Sequence, residues 1–369
     1  MDGPNKKKNP RVLVVLATVV HAQQQLTRYP PPRMTPLMAW NAWNTFSSNG
    51  IPLRGGRKEY QTVADAMIES GMVSAGYRLL STVCTDWIGR DPVTHELQQN
   101  LTLWPGGMAS FATYLHDRGM QLSVYTDAGV KNCCGEPGSL GYEDQDMKTF
   151  ASWGVDAVGV DYCGGPANVE PEYIKFANGI VNSGRNMQLG VWNLGRGSAQ
   201  VWGPTMSQNM TAASPDHGSW APHIRLTADI GNYWSGHIGP TLSIMSVVDQ
   251  IQGITDLWDY GMGNTSGTYP NLVEAQSHFS LWSMFPTILM ATNDVRLRDK
   301  DIENILLNNE SIAINRTCKN IVNNTLEHID ADIFLQHIRA CIYTYLTTHQ
   351  SMYIQTYCNN TSEYTYDFG

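Results

Sequence analysis

The sequence predicts an α/β fold, a (β/α)8 TIM barrel followed by a short divergent or truncated C-terminal segment. Three features predict it. Apolar runs of strand length alternate about eight times with helix-period segments from Leu37 onward. Several runs stop on a polar residue (Asp127, Asp161, Asn193, Asp229, Asn293), as barrel strands do where they present groups at their C-terminal face. No G-x-G-x-x-G follows a run, so an open dinucleotide-binding sheet fits less well.

The expected strands, in order, are Leu37–Phe46, Tyr77–Thr85, Met120–Asp127, Ala157–Asp161, Gln188–Asn193, Ile224–Asp229, Ile254–Trp258 and Pro286–Asn293. Helical patterns lie between them. Tyr60–Ser70 carries Val63, Ala66 and Met67 and stops at Gly71; Met108–Asp117 runs into Arg118-Gly119; Asp146–Trp153 ends at Gly154. Glu172–Val181, Leu242–Ile251, Leu272–Met284 and Asp301–Ile314 complete the set. Thr317 to Gly369 holds three Cys and shows no clear periodicity. The expected organisation is a leader over 1–22, a linker over 23–36, the barrel over 37–316 and the C-terminal segment over 317–369.

At 42% hydrophobic residues the 369-residue chain can bury a large core, and 15% charged residues is not a disordered composition. A net charge of -9 argues against nucleic acid as a partner. Eleven Trp and seventeen Tyr suit a surface that stacks on sugar rings, although core packing accounts for most aromatic residues of any fold. Lys6-Lys7-Lys8, the apolar run Val12 to Val20 and Val20-His21-Ala22 form a secretory-leader pattern. That run is too short to span a bilayer, so no membrane partner is expected. Eight N-x-S/T sequons begin at Asn100, Asn209, Asn264, Asn309, Asn315, Asn323, Asn359 and Asn360, as suits a secreted glycoprotein. Seven Cys leave at least one without an intrachain partner, and one or two disulfides are expected. Neither C-x-x-C nor H-E-x-x-H occurs, so neither a metal nor another cofactor is expected.

The strand-end acids are the natural candidates for chemistry, since two carboxyl groups on different barrel strands can flank one bond. Residue pattern alone leaves several open, and each reads equally as a helix cap. The order of motifs narrows them: Ala39-Trp40-Asn41-Ala42-Trp43-Asn44, Tyr125-Thr126-Asp127-Ala128-Gly129, the P-G-S-L-G-Y-E segment after Cys133-Cys134, Asp161-Tyr162-Cys163, Arg225 to Ile230 and His278 to Trp282. This series resembles the melibiase family, the alpha-galactosidases of glycoside hydrolase family 27, over Met38 to about Arg316.

The resemblance implies a retaining hydrolase of terminal alpha-linked galactose acting on a carbohydrate substrate. It implies Asp161 as nucleophile, Asp229 as general acid and then base, and Arg225 as the group orienting it. Trp43 and Tyr125 fall at positions lining the sugar pocket, with Asp86, Asp127, Asn193 and Asp259 as further substrate-binding candidates. Cys133 and Cys163 fall where the family has a disulfide, and Cys134 beside Cys133 leaves the pairing open.

The pattern departs in the sugar-binding shell. Adjacent family carboxylates that grip the 4- and 6-hydroxyls align with Cys84 and Thr85, and Asp86 is displaced by one position. A family lysine that binds ring hydroxyls aligns with Gly159, and the selector after strand five falls at Asn193. The loop at Trp258-Asp259-Tyr260-Gly261-Met262 is shortened. Each lost charged hydrogen bond would cost about 1.5–3 kcal/mol of sugar binding. Alternatives are therefore an altered sugar specificity, α-N-acetylgalactosaminidase-like or isomaltodextranase-like, or a non-catalytic carbohydrate-binding remnant.

Overall fold

The computed structural model describes residues 36–48, 51–52, 55–193, 197, 202, 206, 209, 223–225, 256–258, 272–283 and 288–321. The expected leader, the helix at Leu242–Ile251, Asp229, Asp259 and nearly all of the C-terminal segment lie outside them.

Eight parallel strands form one sheet: β1 Met38–Asn41, β2 Leu79–Ser81, β3 Gln121–Asp127, β4 Ala157–Asp161, β5 Gln188–Trp192, β6 His223–Arg225, β7 Asp256–Trp258 and β8 Leu289–Ala291. Their order is β7-β6-β5-β4-β3-β2-β1-β8, so β8 returns to pair with β1. Sequential parallel neighbours with the last strand beside the first are the connectivity of the expected barrel. The helices are α1 Arg57–Glu69, α2 Gly107–His116, α3 Glu143–Ser152, α4 Val169–Ser183, α5 Leu272–Ser283, α6 Lys300–Leu306 and α7 Asn309–Ile321.

The strands are apolar because both faces are covered. Met38 to Asn41 are all buried, as are Leu122 to Asp127 and Ala157 to Val160. Outside the sheet, Trp40, Phe46, Tyr60, Trp104 and Phe111 interlock with ring centroids 5.0–6.5 Å apart.

Several expected bounds shift, three of them for a visible local reason. The first strand stops at Asn41 rather than Phe46, because the Asn41 Oδ1 accepts the Trp43 N–H at 2.8 Å and turns the chain into a short helix, Trp43–Phe46. Helix α1 starts three residues early because the Glu59 carboxylate accepts the Gly56 N–H at 2.9 Å. The single helix expected over Asp301–Ile314 is two, because Asn308 accepts the Ser311 N–H at 2.9 Å and caps α7.

Register sets the site. Asp127 pairs with Asp161 across β3 and β4, and Asp161 with Trp192 across β4 and β5. One layer deeper, Tyr125, Gly159, Gly190 and His223 are successive Cα partners.

Candidate active site

Asp161 ends β4, with 13% of its side chain exposed. Tyr125 donates its hydroxyl to Asp161 Oδ2 at 3.1 Å, and Arg225 donates from Nη2 to Oδ1 at 3.3 Å. The Tyr162 N–H also reaches Oδ1, at 2.9 Å. Arg225 is buried, and the same Nη2 donates to the Trp192 carbonyl at 2.8 Å. Both carboxylate oxygens are thus fixed by donors from separate strands, which favours the charged, nucleophilic form.

Asp127 is fully buried, and its oxygens accept the N–H groups of Gly129 at 2.6 Å and Cys163 at 2.7 Å. It clamps the loop after β4 to the tip of β3. A substrate-binding contact was expected of it; the contacts described for it are these backbone N–H groups, beside Asp161 in register. Burial pushes its carboxyl up to about 6; the N–H bonds oppose this and the Asp161 charge adds to it. The folded-state value lies above the ordinary 3.8, so protonation favours the fold. That contribution is complete below about pH 4 and lost as pH rises through about 6. Between pH 4 and pH 7, wild-type protein should therefore lose stability relative to Asp127→Asn, by on the order of 3 kcal/mol or less. Urea midpoints at the two pH values check this; parallel changes in both proteins would contradict it.

Two disulfides tie the strand tips together. Cys133–Cys163 is the expected pair, with Cα atoms 5.3 Å apart, and Cys133 Sγ lies 3.3 Å from Asp161 Oδ2. The neighbouring Cys134 bonds Cys84, with Cα atoms 5.7 Å apart. Asp127, Cys133, Asp161 and Cys163 bring four ligand-type atoms within 4.8 Å, but the two sulfurs are bonded to each other and offer no thiolates.

Cys84, aligned with a sugar-gripping carboxylate, is therefore locked in a disulfide, and Thr85 is buried. Cys84 and Asp86 both have left-handed backbone, at φ 49° and 63°. Asp86 accepts from Asn100 Nδ2 at 2.6 Å, and its N–H donates to the buried Glu136 carboxylate at 2.6 Å. Trp43 is half-buried against the core. Asn193 is fully buried one residue past β5, and the residue that pairs with Asp161 is Trp192 instead. Asp229 and Asp259 lie outside the described residues.

Residues 35–317 match the melibiase family model described as alpha galactosidase A. The chain belongs to this family. Alpha-galactosidase A of Cellvibrio japonicus (strain Ueda107) is 30% identical over 319 residues, which are 82% of this chain and 72% of that protein. The alpha-galactosidase of Oryza sativa subsp. japonica is 30% identical over 285 residues, 76% of this chain and 63% of its own length. The structure of alfa-galactosidase from Saccharomyces cerevisiae with raffinose shares the fold at a TM-score of 0.65. It is 22% identical, with 76% of this chain and 64% of that one covered. The chain thus spans roughly two thirds of these relatives.

Gly159 is closed to a longer side chain. A Cβ on Gly159 would lie 2.5 Å from Trp192 Cζ2 and 2.7 Å from Cζ3. The indole fills the volume through which a side chain at 159 would extend. Sequence reading missed Trp192 and His223. The available signal was a pair of glycines, Gly159 and Gly190, each two residues before the end of its strand.

Proposed function

We propose that the chain is a secreted retaining α-galactosidase in which Asp161 is the nucleophile and Asp229 the general acid and base. The observation that carries this reading is the Asp161 carboxylate, at a barrel strand tip, held on one oxygen by Tyr125 and on the other by Arg225. Family membership supports the reaction class. Raffinose in the Saccharomyces relative supports a carbohydrate substrate.

In the first step an Asp161 oxygen bonds the anomeric carbon from the face opposite the aglycone. The bond from that carbon to the aglycone oxygen breaks, and the oxygen takes the proton of Asp229. In the second step water attacks the same carbon and gives a proton to Asp229, releasing Asp161. Two inversions give net retention, for which carboxyl groups about 5–5.5 Å apart are required. Arg225, buried and directed at Asp161, holds the charge that both steps use. No cofactor takes part in this scheme.

Secretion is supported by the leader pattern, the sequons and two disulfides, bonds that persist in oxidising compartments. Of the sequons, Asn315 is fully buried and out of reach of a glycan in the folded chain.

Proton NMR of 4-nitrophenyl α-galactoside hydrolysis tests the reading. The expected first product is α-galactose, with the β anomer growing in later by mutarotation. β-Galactose first would overturn retention. Turnover of other aryl α-glycosides with none of the galactoside would overturn the sugar assignment.

A further inference from the structure

Trp192 meets both groups that hold the nucleophile, Tyr125 through its ring and Arg225 through its backbone carbonyl. Its Cα is the register partner of Asp161. Its ring leans on Tyr125, with centroids 6.0 Å apart and planes at 33°. Its carbonyl accepts from Arg225 at 2.8 Å. The indole is almost fully buried and lies over two glycines at once. A Cβ on Gly190 would sit 2.5 Å from Trp192 Nε1 and 2.5 Å from His223 Nε2, as one on Gly159 would strike the ring's far edge. Such separations are far inside carbon contact distance, so this ring position requires both glycines.

The ring's polar edge is fixed as well. Trp192 Nε1 donates to His223 Nε2 at 3.2 Å. An imidazole accepts only when neutral, and burial pushes His223 down to about 3, so the acceptor persists through ordinary working pH. The indole is thereby seated against Gly159 and Gly190, tied at Nε1 to His223 and packed beside Tyr125.

We infer that Trp192 is a positioning residue for the nucleophile: seated on Gly159 and Gly190 and anchored by His223, its indole props Tyr125 against one Asp161 oxygen, while its backbone carbonyl receives the Arg225 that holds the other. This rests on the reading of Asp161 as the nucleophile. Trp192 itself need not touch the sugar. The indole acts through the Tyr125 hydrogen bond, which favours the charged carboxylate, so loosening the wedge shifts Asp161 titration to higher pH. The other groups facing Asp161 are Asp127 on β3, Tyr162 and the Cys133–Cys163 bridge beside it, and Tyr173 on α4. None is displaced by the substitutions below.

Three variants test it. Trp192→Ala removes the wedge; Gly159→Ala displaces the ring while deleting no polar group; Trp192→Phe keeps a ring but loses Nε1; all three keep the backbone carbonyl that receives Arg225. The readouts are kcat and KM on 4-nitrophenyl α-galactoside across pH, and the Asp161 carboxyl titration by carbon-13 NMR. Trp192→Ala and Gly159→Ala should lower kcat about tenfold or more with KM changed less than about threefold. In both, the Asp161 titration and the acidic limb of the rate profile should move to higher pH. Trp192→Phe should recover most of kcat. An Asp161 titration and kcat unchanged in folded Gly159→Ala protein would overturn the inference, as would a loss confined to KM. If wild-type protein does not turn over the galactoside, the proposed function fails, and the NMR titration still decides the positioning role by itself.

Discussion

Replacing Asp161 with asparagine is expected to lower kcat on an aryl α-galactoside by on the order of ten-thousand-fold, the scale at which a covalent catalyst's nucleophile is lost. Asparagine is close in size; its carbonyl oxygen can still accept from Arg225 and its NH2 can donate to the Tyr125 hydroxyl oxygen, so the pocket keeps its shape while the attacking charge is gone. Arg225 loses its counter-ion but keeps the Trp192 carbonyl at 2.8 Å, and the fold should survive with a modest change in Tm. Asp161→Gly gives a sharper result. The space it opens admits azide, which can attack the anomeric carbon in place of the carboxylate and remain bonded. Azide should restore turnover and yield β-galactosyl azide from an α-galactoside. A folded Asp161→Asn enzyme with near wild-type kcat would remove Asp161 from the nucleophile's role.

Loss of the two disulfides is the second large effect. Cys84–Cys134 joins positions 50 residues apart and Cys133–Cys163 positions 30 apart. By loop-closure entropy, replacing each pair with serine should cost about 4 and about 3.5 kcal/mol respectively. Each pair must be replaced together, because Cys133 and Cys134 are neighbours and a lone thiol would exchange with the remaining bridge. The consequences for activity differ. Cys133 Sγ is 3.3 Å from Asp161 Oδ2, so loss of Cys133–Cys163 should lower kcat as well as stability. Cys84–Cys134 anchors the loop after β2, and its loss should appear mainly in the urea midpoint. Unfolding curves that match the wild type would show that the bridges do not constrain the chain.

The barrel was legible in the sequence because strands such as β1, β3 and β4 are apolar and buried, and several runs stop on a polar group. Ala157–Asp161 has the same bounds in sequence and structure for that reason. The break between α6 and α7 was not legible, since Asn308 looks like an ordinary interior residue until its side chain caps the next helix. Asp127 was read as a sugar contact, and a strand-end Asp offers the same signal whether it faces ligand or backbone N–H groups. Cys133 and Cys134 sit side by side, which left the partner of Cys163 open, and Cys84 was read only as the place of a lost carboxylate, not as the partner of Cys134. Trp192 was passed over for Asn193 because only the β4–β5 register decides which of the two stands opposite Asp161. The departures at Cys84 and Gly159, visible from the first reading, acquire a physical content: one is a disulfide, the other a seat for an indole.

The most direct test of the central claim is mass spectrometry of the protein after reaction with a fluorinated α-galactosyl donor that forms the glycosyl-enzyme and releases it slowly. The expected result is one added fluorogalactosyl group on the peptide containing Asp161, absent from Asp161→Asn and lost in time with recovery of activity. A label on another residue, or none on protein that hydrolyses the galactoside, would contradict the assignment of Asp161 as the nucleophile.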